Sequence, residues 1–304
     1  HLWITNNMAY STITKPSLHF NTKLYTGNGG TNAITGVGFQ PDWVWCKGRS
    51  FVDNHISFDA VRGVTKVLKP NLNNAESTVA ATLTSFDSDG FSLGSDGEIN
   101  QNNKTFVGWN WKAGTAFSND ASATGIGTID SVGSVSTTAG FSVCSWTGNS
   151  GTIAHGLGVK PDVIWIKSRQ TANNWVVLHK GLTGGMDANG IVLNDTAAET
   201  SGGSGMAEPT SSVFTITSGL AANDNNIGYV FAEKKGYSKF GSYTGNGNAD
   251  GAFVYTGFKP AWIMVKRTGG VTNWQIQDSK RDGFNDQNKR ILANVNEAEK
   301  TSQM

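Results

Sequence analysis

The chain has 304 residues and a formal net charge of +1, and only 15% of its residues are charged. Binding a polyanion needs a concentrated basic surface, so this balance argues against nucleic acid and anionic membranes as partners. With 38 glycines and 10 tryptophans, the mixture of turn formers and large aromatics predicts a mostly β protein of many short strands.

The N-terminal HLWITNN (1–7) has neither a basic n-region nor an apolar h-region, and no stretch of the sequence approaches the apolar run that spans a bilayer. No signal peptide and no membrane insertion are expected. MAYSTI at 8–13 has the form of a natural start, which makes residues 1–7 a translated leader or expression remnant.

YTGNG at 25–29 returns as WTGNS at 146–150 and YTGNG at 243–247. An aromatic followed by Thr-Gly-Asn reads as a strand end meeting a tight turn, a hairpin seam, because Gly and Asn tolerate positive φ. Each copy then runs into a proline-anchored strand: GFQPDWVWCKGR (38–49), GVKPDVIWIKSR (158–169) and GFKPAWIMVKR (257–267). Pro41, Pro161 and Pro260, three of six prolines, occupy one position, where a missing ladder donor is tolerated. Beyond the strand, Leu68, Asn71 and Glu76 recur as Ile191, Asn194 and Glu199, then as Ile291, Asn294 and Glu299. At roughly 100 residues the period is that of a domain, too long for a solenoid unit.

Trp43 and Trp45 lie on one face of their strand, where the later copies keep only apolar size (Val163, Trp165; Trp262, Met264), so the core is their expected place. Cys46 matches Ile166 and Val265 and is read as a small core hydrophobe; Cys46 and Cys144 suggest neither zinc nor redox chemistry. Lys47, Lys167 and Lys266 follow the strand, with Arg49, Arg169 and Arg267 after them. Asp59 with Arg62 recurs as Asp278 with Arg281, whereas the middle copy has His179. The plain reading makes these basic residues struts paired with the recurring Glu inside each copy. The ligand reading makes Lys47, Arg49, Asp59, Arg62 and Glu76 a binding group.

SFDSDGFSLG and the sequence to WNWKAG (85–114) read as strands around DG and NN turns. Asp87 and Asp89 give this stretch the oxygen-rich look of a calcium loop, although the EF-hand continuation is missing. Trp109 and Trp111 have only loose counterparts and are candidates for an exposed aromatic patch. Residues 115–139, rich in Ser, Thr, Gly and Ala, read as a connection, part strand-like and part flexible. The expected organisation is unit one at 8–114, that connection, unit two at 140–236 and a partial unit three at 237–304. Units two and three, joined without a spacer, should form a rigid pair against which unit one moves. The third copy stops at Met304 before the closing half seen in the other two; because a sheet without its last strands would have open edges, the expectation is that the chain continued in its natural gene or borrows strands from a neighbour.

No G-x-S-x-G elbow, P-loop or H-E-x-x-H is present. The segments FDAVRGVTKVL, NNAEST, SFDSDGFSLG, FVGWNWKAG, YVFAEKKGYSKFGSYTGNG and FVYTGFKPAWIMVKRT resemble a family of repeat-bearing, tail-fibre-like structural proteins of marine tailed phages and marine metagenomes. The resemblance covers nearly everything from Met8 onward. It implies a virion protein made in the host cytoplasm, with other virion proteins as partners and a homo-oligomeric form. The resulting expectation is tandem antiparallel β-sandwich modules, jelly-roll or lectin-like, that bind surface polysaccharide or glycan. One alternative is a phage-tail glycoside hydrolase or lyase using Asp59, Glu76 and Glu98; another is a purely architectural spacer.

Overall fold

The computed structural model describes residues 11–201, 206–217, 223–248, 250–283 and 288–301; the expected leader at 1–7 lies outside them. The described chain is mostly β, and its strands pair antiparallel in every ladder between named strands.

Segment one is a two-layer sandwich. Its larger sheet runs Phe20–Thr26, Thr105–Trp111, Trp43–Gly48, His55–Asp59 in spatial order, and its smaller one runs Asn32–Ile34, Gly90–Leu93, Leu83–Asp87. Between them lies an apolar core that includes Val44, Cys46, Phe58, Phe91 and Leu93, each of these five at most 1% exposed. Asp87 faces Gly90 across the tight turn of the Leu83–Leu93 hairpin, as the DG signal predicts.

Segment two repeats the plan on a larger sheet. Its order is Thr115–Asn119, Ser131–Ser136, Phe141–Thr147, Asn225–Phe231, Val163–Ser168, Val176–His179, Asn189–Val192, Thr200–Ser201. A small second layer, Gly151–Ala154 paired with Val213–Ile216, covers a core that includes Cys144, Trp146, Ile164 and Phe214. Residues 115–139 are therefore largely built into a sheet: two of their stretches are strands, because alternating Val132, Ser134 and Ser136 find ladder partners in Phe141–Thr147.

Segment three has a single sheet among the described residues, Trp262–Val265, Gln275–Asp278, Lys289–Leu292, Lys300–Thr301. The inner faces of all three large sheets meet in one shared core of Trp43, Trp45, Trp109, Trp165, Tyr229, Trp274 and their neighbours. Trp43 stacks on Trp111 at 4.2 Å and on Tyr229 at 4.4 Å, and Trp45 meets Trp165 edge-on at 5.7 Å. Aromatic pairs of this kind add about 0.5–1.5 kcal/mol each beyond the area they bury.

Two sequence expectations change here. TGN is not a hairpin seam: Phe20–Thr26 pairs with Thr105–Trp111 while Asn32–Ile34 pairs with Gly90–Leu93, so the turn arches from one layer to the other. Gly27 is needed there because a Cβ would sit 2.2 Å from the Gln101 carbonyl oxygen. Nor is segment one hinged by a free connection. Asp42, after the anchoring proline, accepts hydrogen bonds from Ala113 N, Gly114 N and Ser134 Oγ at 2.8, 2.8 and 2.7 Å, tying the exit of segment one to a strand of segment two.

Candidate functional site

The polar residues singled out by the sequence converge on the joints between segments. Arg49 makes a bidentate pair with Glu299 at 2.9 and 3.0 Å, and Arg169 makes the same pair with Glu76 at 2.9 Å twice. Backbone bonds run beside them, Glu299 N to Arg49 O at 2.9 Å and Glu76 N to Arg169 O at 2.7 Å. At the third joint Glu199 N donates to Thr268 O at 3.0 Å. Arg267 lies one position short of the matching place, and Glu199 is held by Thr183 instead. Glu76 and Glu299 thus pair chiefly with the neighbouring segment, not inside their own copy, because the loop that carries each one meets the end of that segment's proline-anchored strand.

A second set of contacts closes the same ring. His55 Nε2–H donates to Leu292 O at 3.0 Å, Trp175 Nε1 to Lys69 O at 3.1 Å, and Trp274 Nε1 to Val192 O at 2.9 Å. The backbone N–H of each donor residue is held by Asn71, Asn194 or Asn294. Sequence reasoning found the three asparagines but missed the ring donors. Their signal is an Asn followed by a ring residue: Asn54-His55, Asn174-Trp175 and Asn273-Trp274. Burial keeps His55 well below its ordinary pKa, hence neutral, with Nδ1 accepting from Trp45 Nε1 at 2.9 Å.

The proposed binding and catalytic residues are therefore engaged. Asp59 holds Arg62 in an ion pair with no solvent access to either side chain, and Tyr229 Oη from segment two donates to it at 2.7 Å. Asp278 holds Arg281 likewise and accepts from Trp109 Nε1 of segment one at 3.0 Å. Burial would raise the Glu76 carboxyl, but hydrogen bonds from Arg169 and the Arg62 and Arg169 charges hold it below the usual carboxylate range. Glu98 is paired with Lys69 at 2.6 Å and accepts from Asn54. Lys47 is buried, donates to Gly48 O at 2.7 Å, and is pushed down to about 8 by burial. Trp109 and Trp111, at 0% and 7% exposure, form no exposed patch, because their strand is the middle of a sheet covered on both faces.

Asp87 accepts from Ser85 Oγ and Ser92 Oγ, while Asp89 accepts from Gly36 N and Gly38 N, so each carboxylate serves its own turn. Among the described residues, no group of three or more His, Cys, Asp or Glu is placed to hold a metal ion, and no helix is long and apolar enough to cross a membrane. Burial raises both cysteine thiols to about 12, which makes them inert core groups.

One polar groove, of about 550 Å³, opens beside the first strands of segment two, lined by Asn119, Asp120, Asp130, Ser131, Ser145, Trp146 and Thr147 among others. Asp120 caps the short helix Ala121–Thr124, and Asp130 Oδ1 accepts from Ala121 N at 2.8 Å. Hydrogen bonds from Ser122 and Ala123 keep the Asp120 carboxyl below its ordinary range. The exposed Asp120 and Asp130 carboxylates and the neighbouring hydroxyls offer fixed acceptors and donors to a hydroxyl-bearing ligand, while Trp146, 3% exposed, forms the floor by packing into the core. Sequence reasoning missed this groove because 115–139 reads as a linker.

No curated protein and no solved structure matches the chain. A family model described as a domain of unknown function (DUF7483) matches residues 15–304, and the chain belongs to that family.

Proposed function

We propose that the protein is a structural, tail-fibre-like virion module, locked into a three-segment ring, that binds a surface glycan in the groove formed by Asn119, Asp120, Asp130 and Trp146. The observation that carries the structural half is the ring itself: Arg49, Glu76, Asp59, Arg62, Trp109 and Asp278 all hold one segment to another. Asp59, Glu76 and Glu98, the carboxylates nominated for polysaccharide cleavage, are each committed to a cation, which supports binding or architecture ahead of hydrolysis. The groove supports the glycan half, because its acceptors face solvent away from those joints.

The test is size-exclusion chromatography of bacterial and algal polysaccharides after incubation with the protein, following polymer length and protein elution together. Intact polymer that carries the wild-type protein, but not Asp120→Asn/Asp130→Asn, is the expected result. Shortened polymer would replace this reading with an enzyme, and no co-elution with any polymer would leave an architectural spacer.

A further inference from the structure

Three strands of segment two meet the groove side by side. Asn119 ladders with Ser131 and Ser131 with Trp146, so the three form one row across the sheet. Asp120 follows the first strand and Asp130 precedes the second, which puts both carboxylates at the same end of that row. Their fixed partners are neutral: Ala121 N donates to Asp130 at 2.8 Å, while Ser122 Oγ and Ala123 N donate to Asp120 at 2.7 and 3.0 Å. Neither carboxylate is paired with a cation among the described residues. The local sequence supplies none: between Lys112 and Lys160 there is no Lys, Arg or Glu, and the only acids are Asp120 and Asp130. His155, in the same stretch, is kept neutral by burial, which pushes it down to about 4.

The buried polar groups of the row are satisfied, with one exception. Asn119 Nδ2 donates to Ile126 O at 2.9 Å and Ser131 Oγ to Ala154 O at 3.1 Å. Trp146, only 3% exposed, has its Nε1–H buried without a hydrogen-bond partner. The strand on its other side sets the orientation of the ring. A Cβ on Gly228 would meet the indole Cζ3 and Cη2 at 3.1 and 3.5 Å. Nε1 lies across the ring system from those atoms, so it turns away from Asn225–Phe231, towards Ser131 and the groove. A buried donor left unpaired is costly, and an acceptor brought by a ligand would satisfy it.

We propose that the groove selects saccharides carrying a free amino group, such as a 2-amino-2-deoxy sugar, whose ammonium is held by Asp120 and Asp130 while a sugar oxygen accepts from Trp146 Nε1. This rests on the glycan reading of the groove and adds its selectivity. Two carboxylates with no counter-ion favour an ammonium through charge-assisted hydrogen bonds, and they disfavour uronates and sulfated sugars by like-charge repulsion. An N-acetylated sugar keeps the hydroxyls but loses the charge. A bare metal cation supplies the charge but no acceptor for Trp146. The volume of about 550 Å³ lies within the roughly 300–1,000 Å³ of small-ligand sites.

The test is calorimetric titration of the full chain at about pH 6, where the carboxylates are ionised and the sugar amines protonated. The probes are the tetrasaccharides of glucosamine, N-acetylglucosamine and galacturonate. In parallel, nitrogen–proton correlation spectra follow the indole signals of the 10 tryptophans, that of Trp146 being identified by its loss in Trp146→Phe. The glucosamine tetramer should bind at least about tenfold more tightly than the N-acetylated one, and the galacturonate tetramer should not bind. The Trp146 signal should shift to saturation with the first, and Asp120→Asn/Asp130→Asn should erase the preference. Equal affinity for the acetylated and free tetramers overturns the selectivity and leaves the glycan reading standing. Absence of glucosamine binding overturns it too, and a polysaccharide panel without any co-elution removes the glycan reading as well. Saturable binding that leaves the Trp146 signal unmoved, or calcium chloride alone shifting that signal, also overturns the proposal.

Discussion

The guanidinium of Arg49 clasps the carboxylate of Glu299, 250 positions away in the chain, through two hydrogen bonds of 2.9 and 3.0 Å. Arg281 reaches the same carboxylate from within segment three at 3.3 Å. The joint is partly buried, with side-chain exposures of 16% and 11%, so its charges are screened less than those of a surface pair. Arg49→Ala and Glu299→Ala should each lower unfolding free energy by about 1–3 kcal/mol. The double variant should lose less than the sum, a coupling that urea titration of the four proteins measures.

At the Asp59 joint the desolvation argument is stronger. Arg62 is buried with Asp59 as its close carboxylate partner and Glu76 at 3.2 Å. Asp59→Ala should cost about 3–5 kcal/mol, the range for a buried charge deprived of its counter-ion. Tyr229→Phe, which removes one 2.7 Å hydrogen bond across the joint, should cost about 1–3 kcal/mol. Equilibrium unfolding of both variants checks the ranking, and a Tyr229→Phe loss as large as that of Asp59→Ala would contradict it.

Much of this arrangement was legible in the sequence, and the limit has a physical cause. Alternation of Trp43, Val44 and Trp45 gave a buried strand, and the recurrence of Asn71 and Glu76 gave the register of the copies. What no single copy could display is its partner. Glu76 reads the same whether it meets Arg62 in its own segment or Arg169 in the next, and it meets both. Likewise 115–139 reads as part strand and part flexible connection, and its sequence does not name the partner; Ser131–Ser136 is a strand because Phe141–Thr147 supplies the ladder and Asp42 binds Ser134. The groove of Asp120 and Asp130 was hidden by the same composition.

The hairpin at Asp87–Gly90 gives a local test of how closely two paired strands of the smaller sheet approach. Gly90 has φ 151°, and a Cβ there would lie 1.9 Å from the Ile34 carbonyl oxygen, an atom of the paired strand that cannot rotate away. Gly90→Ala should therefore open the Asn32–Ile34 ladder at a cost of about 2–4 kcal/mol, combining backbone strain with overpacking. Gly63→Ala serves as the comparison: φ is 89° but nothing lies within 4 Å, so only the strain of about 1 kcal/mol applies. Thermal unfolding of the two variants separates the terms.

The buried lysines make stability depend on pH in the alkaline range. Burial lowers Lys47 and Lys167 from 10.5 to about 8. Below about 8 each is charged in both folded and unfolded chains, and the full desolvation cost is present. Between about 8 and 9 the unfolded chain binds more protons than the folded one, so unfolding free energy rises with pH. Above about 9 the unfolded Cys46 and Cys144 thiols ionise while burial holds them protonated in the fold, which offsets the lysines, and above 10 the buried Tyr25 and Tyr229 hydroxyls turn the trend downward in the same way. Urea unfolding should show a maximum between about pH 9 and 10, about 1–3 kcal/mol above the value at pH 7.5. Lys47→Met/Lys167→Met should flatten that rise, and an unchanged slope in the double variant would assign the pH dependence to other groups.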